Sequence, residues 1–240
     1  MSLPLSQQTV LLTGAAQGLG AAIARRFAAE GAHLVLLDYN GEGLAEVATG
    51  CGDRAIAIQV DLSNAADTQK AIDQALELGV VDTLIHNAAI LVERSFVDET
   101  FDSFFRTVNV GLQAGMQLAH AVWPGMMRKG GGALVFVSSR SGIEGFSNET
   151  AYCAAKHGLE GLSKSLALEG KAHGITSNTI TPGMYMRTPM SERTYSDELK
   201  RKWVDPDRLA PAFIYLAERR VPEISGQRAD AWKLSETVRM

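Results

Sequence analysis

Along the chain, continuous apolar runs of strand length alternate with segments whose apolar positions recur at the helical period. The runs predict strands over 9–12, 33–37, 55–60, 81–86, 133–137 and 176–180, and a less regular one over 226–231. Between them the 3.6-residue period predicts helices over 18–30, 43–49, 65–78, 101–128, 148–173 and 207–218. Most strand runs are apolar throughout rather than alternating, as strands buried on both faces read. Strand–helix alternation of this kind implies an α/β fold, a doubly wound Rossmann-type parallel sheet of about seven strands with helices on both faces. No repeat, low-complexity tract or Pro/Ser-rich linker divides the sequence, so one domain over 1–240 is expected.

Composition narrows the field of functions. The net charge of −4 argues against nucleic acid as the main ligand. No apolar run approaches a membrane span, and Met1 to Gln8 lacks the features of a signal peptide. Two cysteines, Cys51 and Cys153, exclude a disulfide scaffold and suit a reducing, cytoplasmic setting. The five histidines show no metal-ligand spacing, so no metal site is expected. Glycine, 23 residues of 240, is somewhat enriched while proline is not, which suggests close backbone approach to something.

In a doubly wound sheet, ligands bind beyond the carboxyl ends of the strands. The first strand runs into Thr13-Gly14-Ala15-Ala16-Gln17-Gly18-Leu19-Gly20 and then a helix. Gly14 allows the tight turn, Gly18 a close approach to a diphosphate, and Gly20 the packing of helix on strand. Gln17 and Leu19 share this loop, and the helix N-terminus aims free N–H groups at an anion. The second strand ends at Asp38, 18 positions after Gly20. A carboxylate there accepts the ribose hydroxyls of NAD and repels a 2′-phosphate, and no Arg or Lys nearby offers a counter-charge for NADP. NAD is therefore expected over NADP.

Tyr152 and Lys156, four apart, share one helix face, and Ser139 follows the fifth strand. With these residues the sequence resembles the short-chain dehydrogenase/reductase family in its short form. The resemblance spans nearly the whole chain. It matches Thr13, Gly14, Gly18 and Gly20; Asp61 and Leu62; Asn87 and Ala88, with Ala89 where the family has Gly; Asn109; Ser139, Tyr152 and Lys156; and Pro182 and Gly183. It implies that Tyr152 is the general base or acid, that Ser139 holds the substrate oxygen, and that Lys156 binds the nicotinamide ribose. It also implies that Asn109 holds a water linking Lys156 to solvent. Asp61 and Leu62 would touch the adenine, and Asn87, Ala88, Pro182, Gly183 and Thr188 would line the cofactor. Thr188 stands one position later than the family pattern, and where the family commonly ends the last strand with a Gly-Gly pair this chain reads Ser225-Gly226-Gln227-Arg228-Ala229-Asp230-Ala231-Trp232. Two long helices in the family build oligomers, which implies a homotetramer or dimer.

A free tyrosine has a pKa near 10, too high for a base at neutral pH. An ammonium at roughly 5 Å contributes about 3 kcal/mol, or two pK units, at an effective dielectric of about 20. Burial opposes this, so the positive charge of the oxidised nicotinamide is needed as well. Segment 183–205 is expected to be a substrate lid, with Met184 and Met186 as pocket residues and Arg140 facing substrate. Cys153 is expected to be a small core residue and His86 to be structural. The expected activity is hydride transfer between the cofactor and a small-molecule secondary alcohol or ketone. The alternatives are an NADPH-dependent carbonyl or 3-oxoacyl reductase, and a catalytically silent dinucleotide-binding sensor or scaffold.

Overall fold

The computed structural model describes residues 4–219 and 222–238. Seven strands form one sheet: β1 Thr9–Thr13, β2 His33–Asp38, β3 Ala55–Gln59, β4 Thr83–His86, β5 Gly132–Val137, β6 Ile175–Thr181 and β7 Arg228–Asp230. All neighbours pair in parallel, in the order β3-β2-β1-β4-β5-β6-β7. The chain builds outward from β1 to β3, then crosses over to β4 and builds the other way. Thr13 at the end of β1 therefore lies in register with His86 at the end of β4, at the point where the order reverses. Such a switch point opens a crevice beyond the strand ends.

Alternate strand residues feed two separate cores, as the period of two demands. Val10, Leu12, Val135 and Val137 pack with helix α1, Gly18–Ala29, and with helix α9, Ala210–Arg219. Leu11, Leu84, Leu134 and Phe136 face the other way, onto α3 Ala65–Glu77, α5 Ala114–Lys129 and α6 Thr150–Gly170. Leu159 of α6 is fully buried in this second core. The strand β3 departs from the expectation of strands buried on both faces. It lies at the sheet edge and leaves Ile56 exposed, because only β2 covers it.

The remaining elements are α2 Gly41–Cys51, α4 Phe101–Val108, α7 Pro189–Thr194, α8 Asp197–Lys200 and α10 Ala231–Val238. The sequence pattern shows 101–128 as one helix, but a wider turn over Asn109–Gln113 divides α4 from α5. Such π-type insertions release a carbonyl from the regular ladder. Here the Gly111 carbonyl is the one that meets a side chain from the sheet, His86. Likewise 148–173 starts later, at Thr150, and ends in a tighter 3-10 turn, and 226–231 shrinks to three strand residues followed by α10. Segment 183–205 is not a bare loop. It contains α7 and α8, each opened by a hydroxyl cap, Thr188 and Ser196.

Candidate active site

The glycine turn after β1 is pinned by neutral groups from β4. Thr13 Oγ1 accepts the backbone N–H groups of Asn87 and Ala88, both at 3.1 Å. The Asn87 amide donates to the Gly14 carbonyl at 2.9 Å. Gly14 and Gly18 have positive φ, 67° and 54°, a region that favours glycine. A Cβ on Gly20 would overlap the Gly14 carbonyl oxygen, so only glycine lets α1 pack this close.

Helix α1 begins with Gln17, which provides no side-chain cap, and its first turn carries no acidic residue. Helices α2, α3, α4 and α7 are all capped by a side chain. The free N–H groups and partial positive charge at α1 thus suit the diphosphate of a dinucleotide. Asp38 at the end of β2 is half-buried, accepting the N–H of Ala16 at 3.0 Å and of Asn40 at 2.9 Å. It therefore braces the glycine loop with one carboxylate oxygen and the turn after β2 with the other. Asp61 accepts the N–H of Ser63 at 2.9 Å, and Leu62 beside it is buried.

Buried His86 joins this turn to the wide turn of α4–α5. Its Nδ1 lies 3.0 Å from Thr13 Oγ1 and its Nε2 3.3 Å from the Gly111 carbonyl oxygen. Because Thr13 Oγ1 already accepts two N–H groups, its proton points to Nδ1 and the ring proton sits on Nε2. Burial, then the nearby Lys156 ammonium, push the imidazole pKa down to about 4, so it stays neutral. His86 is structural, as expected.

At the end of β5, Ser139 has extended backbone and opens a short 3-10 turn, Arg140–Gly142. Its Oγ accepts the Ser141 N–H at 3.2 Å and lies 3.4 Å from Ser141 Oγ, which donates to Glu149 at 2.8 Å. On α6, Lys156 is buried and its ammonium lies 5.4 Å from the Tyr152 ring centre. It donates to the Val137 carbonyl at 2.6 Å. Burial brings its pKa down to about 8, against the pull of Glu160. Burial also pushes the Tyr152 phenol well above its ordinary value. A hydrogen bond from Ser139 opposes this, while Glu149, Tyr195 and Cys153 add to it. In the free protein the Tyr152 phenol is thus held protonated, chiefly by desolvation.

Other expected residues fall in different surroundings. The Asn109 amide donates to the Ser63 carbonyl at 3.1 Å, bridging the wide turn to the end of β3. Arg140 is exposed and paired with Glu144. Met184 is half-buried, whereas Met186 bridges to Val204 and packs onto the α1–α9 core. Thr188 uses its hydroxyl in a capping box with Ser191, and its side chain closes against Gly18. Pro182 accepts the Trp232 N–H, and a Cβ at Gly183 would strike the Asp230 carboxylate. Cys153 is not a core residue. It is half-exposed, with Sγ 3.8 Å from the Glu144 carbonyl.

Three residues near this site were not singled out by sequence reasoning: Glu149, Glu160 and Arg228. Glu160 stands four after Lys156, so its place on the same helix face was readable. Arg228 comes from a distant strand, and no local signal marks it.

The sequence profile of the short chain dehydrogenase family matches residues 8–199. The 2,5-dichloro-2,5-cyclohexadiene-1,4-diol dehydrogenase LinX of Sphingobium indicum is 34% identical over 235 residues, covering 92% of this chain and 93% of its own. A proposed NAD(P)-dependent gluconate 5-dehydrogenase from Beutenbergia cavernae, with bound NADP at low occupancy, superposes with a TM-score of 0.86 at 26% identity, covering 96% of this chain and 99% of its own. The 3-ketoacyl-(acyl-carrier-protein) reductase of Brucella melitensis, complexed with NADH, gives 0.87 at 27% identity, covering 94% and 97%.

Proposed function

As the chain belongs to the short-chain dehydrogenase family, we propose that it moves hydride between a secondary alcohol or its ketone and a nicotinamide cofactor, with NAD preferred. One observation carries this reading. Ser139, Tyr152 and Lys156 converge beyond β5, on the same sheet edge as the uncapped α1 terminus. The nicotinamide supplies the hydride acceptor or donor when bound. Gly14, Gly18, Leu19 and Gly20 would hold the diphosphate, and Asp38 the adenosine ribose. Asp61 and Leu62 would flank the adenine. Asn87, Ala88, Pro182, Gly183 and Thr188 would line the nicotinamide half.

Ser139 Oγ would donate to the substrate oxygen and stabilise charge that develops there. Tyr152 Oη would give or take the proton, and the Lys156 ammonium would favour its phenolate. Burial keeps the Tyr152 phenol protonated in the free protein. Likeness to a 3-ketoacyl reductase supports a second reading, reduction of a ketone or 3-oxoacyl group, with the same residues in reverse roles. Segment 183–205 would close over the substrate, with Tyr185 and Tyr195, packed edge to face, above Tyr152.

Relatives of near-identical fold hold NADP in one case and NADH in the other, so the choice falls to residues such as Asp38. Dissociation constants for both cofactors test it. NAD should bind at least about tenfold tighter, and Asp38→Ala should narrow the gap. Tighter NADP binding by the unaltered protein would reverse the assignment. The activity is read by NADH formation from cyclohexane-1,2-diol, gluconate and 2-butanol, and by NADH or NADPH oxidation with a 3-oxoacyl thioester. Tight cofactor binding with no turnover across a broad panel would point to a silent binding protein.

A further inference from the structure

The last strand, β7, carries Arg228, and its guanidinium reaches across the sheet to the turn after β5. Nη2 donates to the Ser139 carbonyl at 2.6 Å, and Nε donates to Glu160 at 3.0 Å. Glu160 is buried and accepts two further hydrogen bonds, from Ser138 Oγ at 2.5 Å and from Thr179 Oγ1 at 2.7 Å. The bonds close a ring: Ser138 hydroxyl to Glu160, Glu160 to Arg228, Arg228 to the carbonyl of the very next residue, Ser139. No part of this ring touches a substrate oxygen, so the reaction as described above does not use it.

We propose that Arg228 and Glu160 are positioning residues that fix the Ser139 turn and so aim its hydroxyl at the substrate. One end of the ion pair holds the Ser139 carbonyl and the other holds the side-chain hydroxyl of the preceding residue, Ser138. The Arg fork suits this because one planar group spans a carboxylate and a carbonyl at once, which an ammonium does not do. The ring leaves little slack. A Cβ at Gly142 would lie 2.5 Å from Ser138 Oγ and 3.3 Å from the Glu160 side chain, so the turn is pressed onto it. The Ser139 carbonyl also accepts the Gly142 N–H at 3.0 Å, and the Ser138 N–H donates to Ile180 at 2.8 Å. A misplacement of about 1 Å costs an oriented reaction about a hundredfold, which sets the size of effect such a clamp can have.

The proposal rests on Ser139 acting on the substrate, so the experiment separates the two. Arg228→Gln, Arg228→Lys and Ser139→Ala are compared in three measurements: amide hydrogen exchange over 138–143, the NAD dissociation constant, and kcat and KM with the alcohol turned over fastest in the panel above. Arg228→Gln should raise exchange over 138–143 with β5 unchanged, and leave NAD affinity within about twofold. It should lower kcat by about 10- to 100-fold. Arg228→Lys should recover part of kcat. Glu160→Gln combined with Arg228→Gln should be no worse than the more damaging of the two alone, since both break one ring. Unchanged exchange in Arg228→Gln overturns the clamp, and so does unchanged kcat while Ser139→Ala is inactive. Loss of NAD binding together with raised exchange throughout the sheet also overturns it, by making the residue a general support. Full activity in Ser139→Ala removes the role of Ser139 itself, and the exchange measurement then still decides whether the ring holds the turn.

Discussion

Two turns at the carboxyl edge of the sheet are held in opposite ways. The glycine turn after β1 is pinned mainly by neutral partners, the Thr13 hydroxyl, the Asn87 amide and the His86 ring, with a single carboxylate, Asp38, on the Ala16 N–H. The Ser139 turn after β5 is pinned by ions: Lys156 on the Val137 carbonyl, Arg228 on the Ser139 carbonyl, and Glu160 between the two cations. The difference fits the role we propose for each turn. A site for a diphosphate needs the N–H groups of the helix terminus left free, and neutral clamps beside that terminus leave the helix field intact. A site that moves a proton needs charge in a low dielectric, where each ion shifts its neighbours strongly. The two turns also titrate in different windows. His86 in the first turn is held neutral down to about pH 4, and Lys156 beside the second gives up its charge near pH 8.

The largest expected effect separates the two turns outright. Tyr152→Phe should leave cofactor affinity within about twofold and lower turnover by about 10²–10⁴-fold, the range of general acid–base catalysis. Wild-type-like turnover in that variant, read by steady-state kinetics, would break the assignment of chemistry to the charged side.

Acid probes the neutral side. The folded-state pKa of His86, about 4, lies below its ordinary value of about 6.5. The unfolded chain therefore binds the proton first as pH falls. The stability tied to neutral His86 is fully present above about pH 6.5 and is lost on the way down to about 4, by up to about 3 kcal/mol. Urea midpoints measured across that window should fall in the unaltered protein. In His86→Asn, whose amide can still reach Thr13, the midpoints should fall less steeply.

The smallest effect concerns close packing in the same turn. Gly20→Ala forces a methyl group into the Gly14 carbonyl, and overpacking of this kind costs about 1–3 kcal/mol. Thermal unfolding should record that loss, and NAD affinity should fall with it because the α1 terminus is displaced. An unchanged dissociation constant would show that the glycine turn is not where the diphosphate sits.

Much of this architecture was legible from the chain alone, for a local reason. The strand runs buried on both faces, the Gly14–Gly18–Gly20 spacing and the Tyr152–Lys156 pair are all set by residues within one turn or one strand–helix unit. The dependence of such patterns on the periods of 2 and 3.6 makes them readable without contacts. Where the reading slipped, a distant partner was responsible. The break at Asn109–Gln113 is marked in the sequence only by Gly111, which alone does not end a helix, and the Gly111 carbonyl meets His86 of β4. Met186 looked like a pocket residue because it is apolar in a polar loop, but Val204 and the α1–α9 core claim it. The cap that the Thr188 hydroxyl gives α7 through Ser191 was a further role that the reading did not assign.

By itself the sequence determined the parallel α/β scaffold, the phosphate-facing turn and the helix face that carries Tyr152 and Lys156, because each depends on the backbone preferences of neighbouring residues. Only the tertiary structure decided the proton chemistry at Tyr152, since burial, a property of the whole packed sheet, raises its pKa against the cation beside it. It alone also decided the ring round Ser139, because Glu160 and Arg228 stand 68 positions apart in the chain. Those two meet only when β5, β6 and β7 are laid side by side, and long-range pairing of strands leaves no mark on any local pattern.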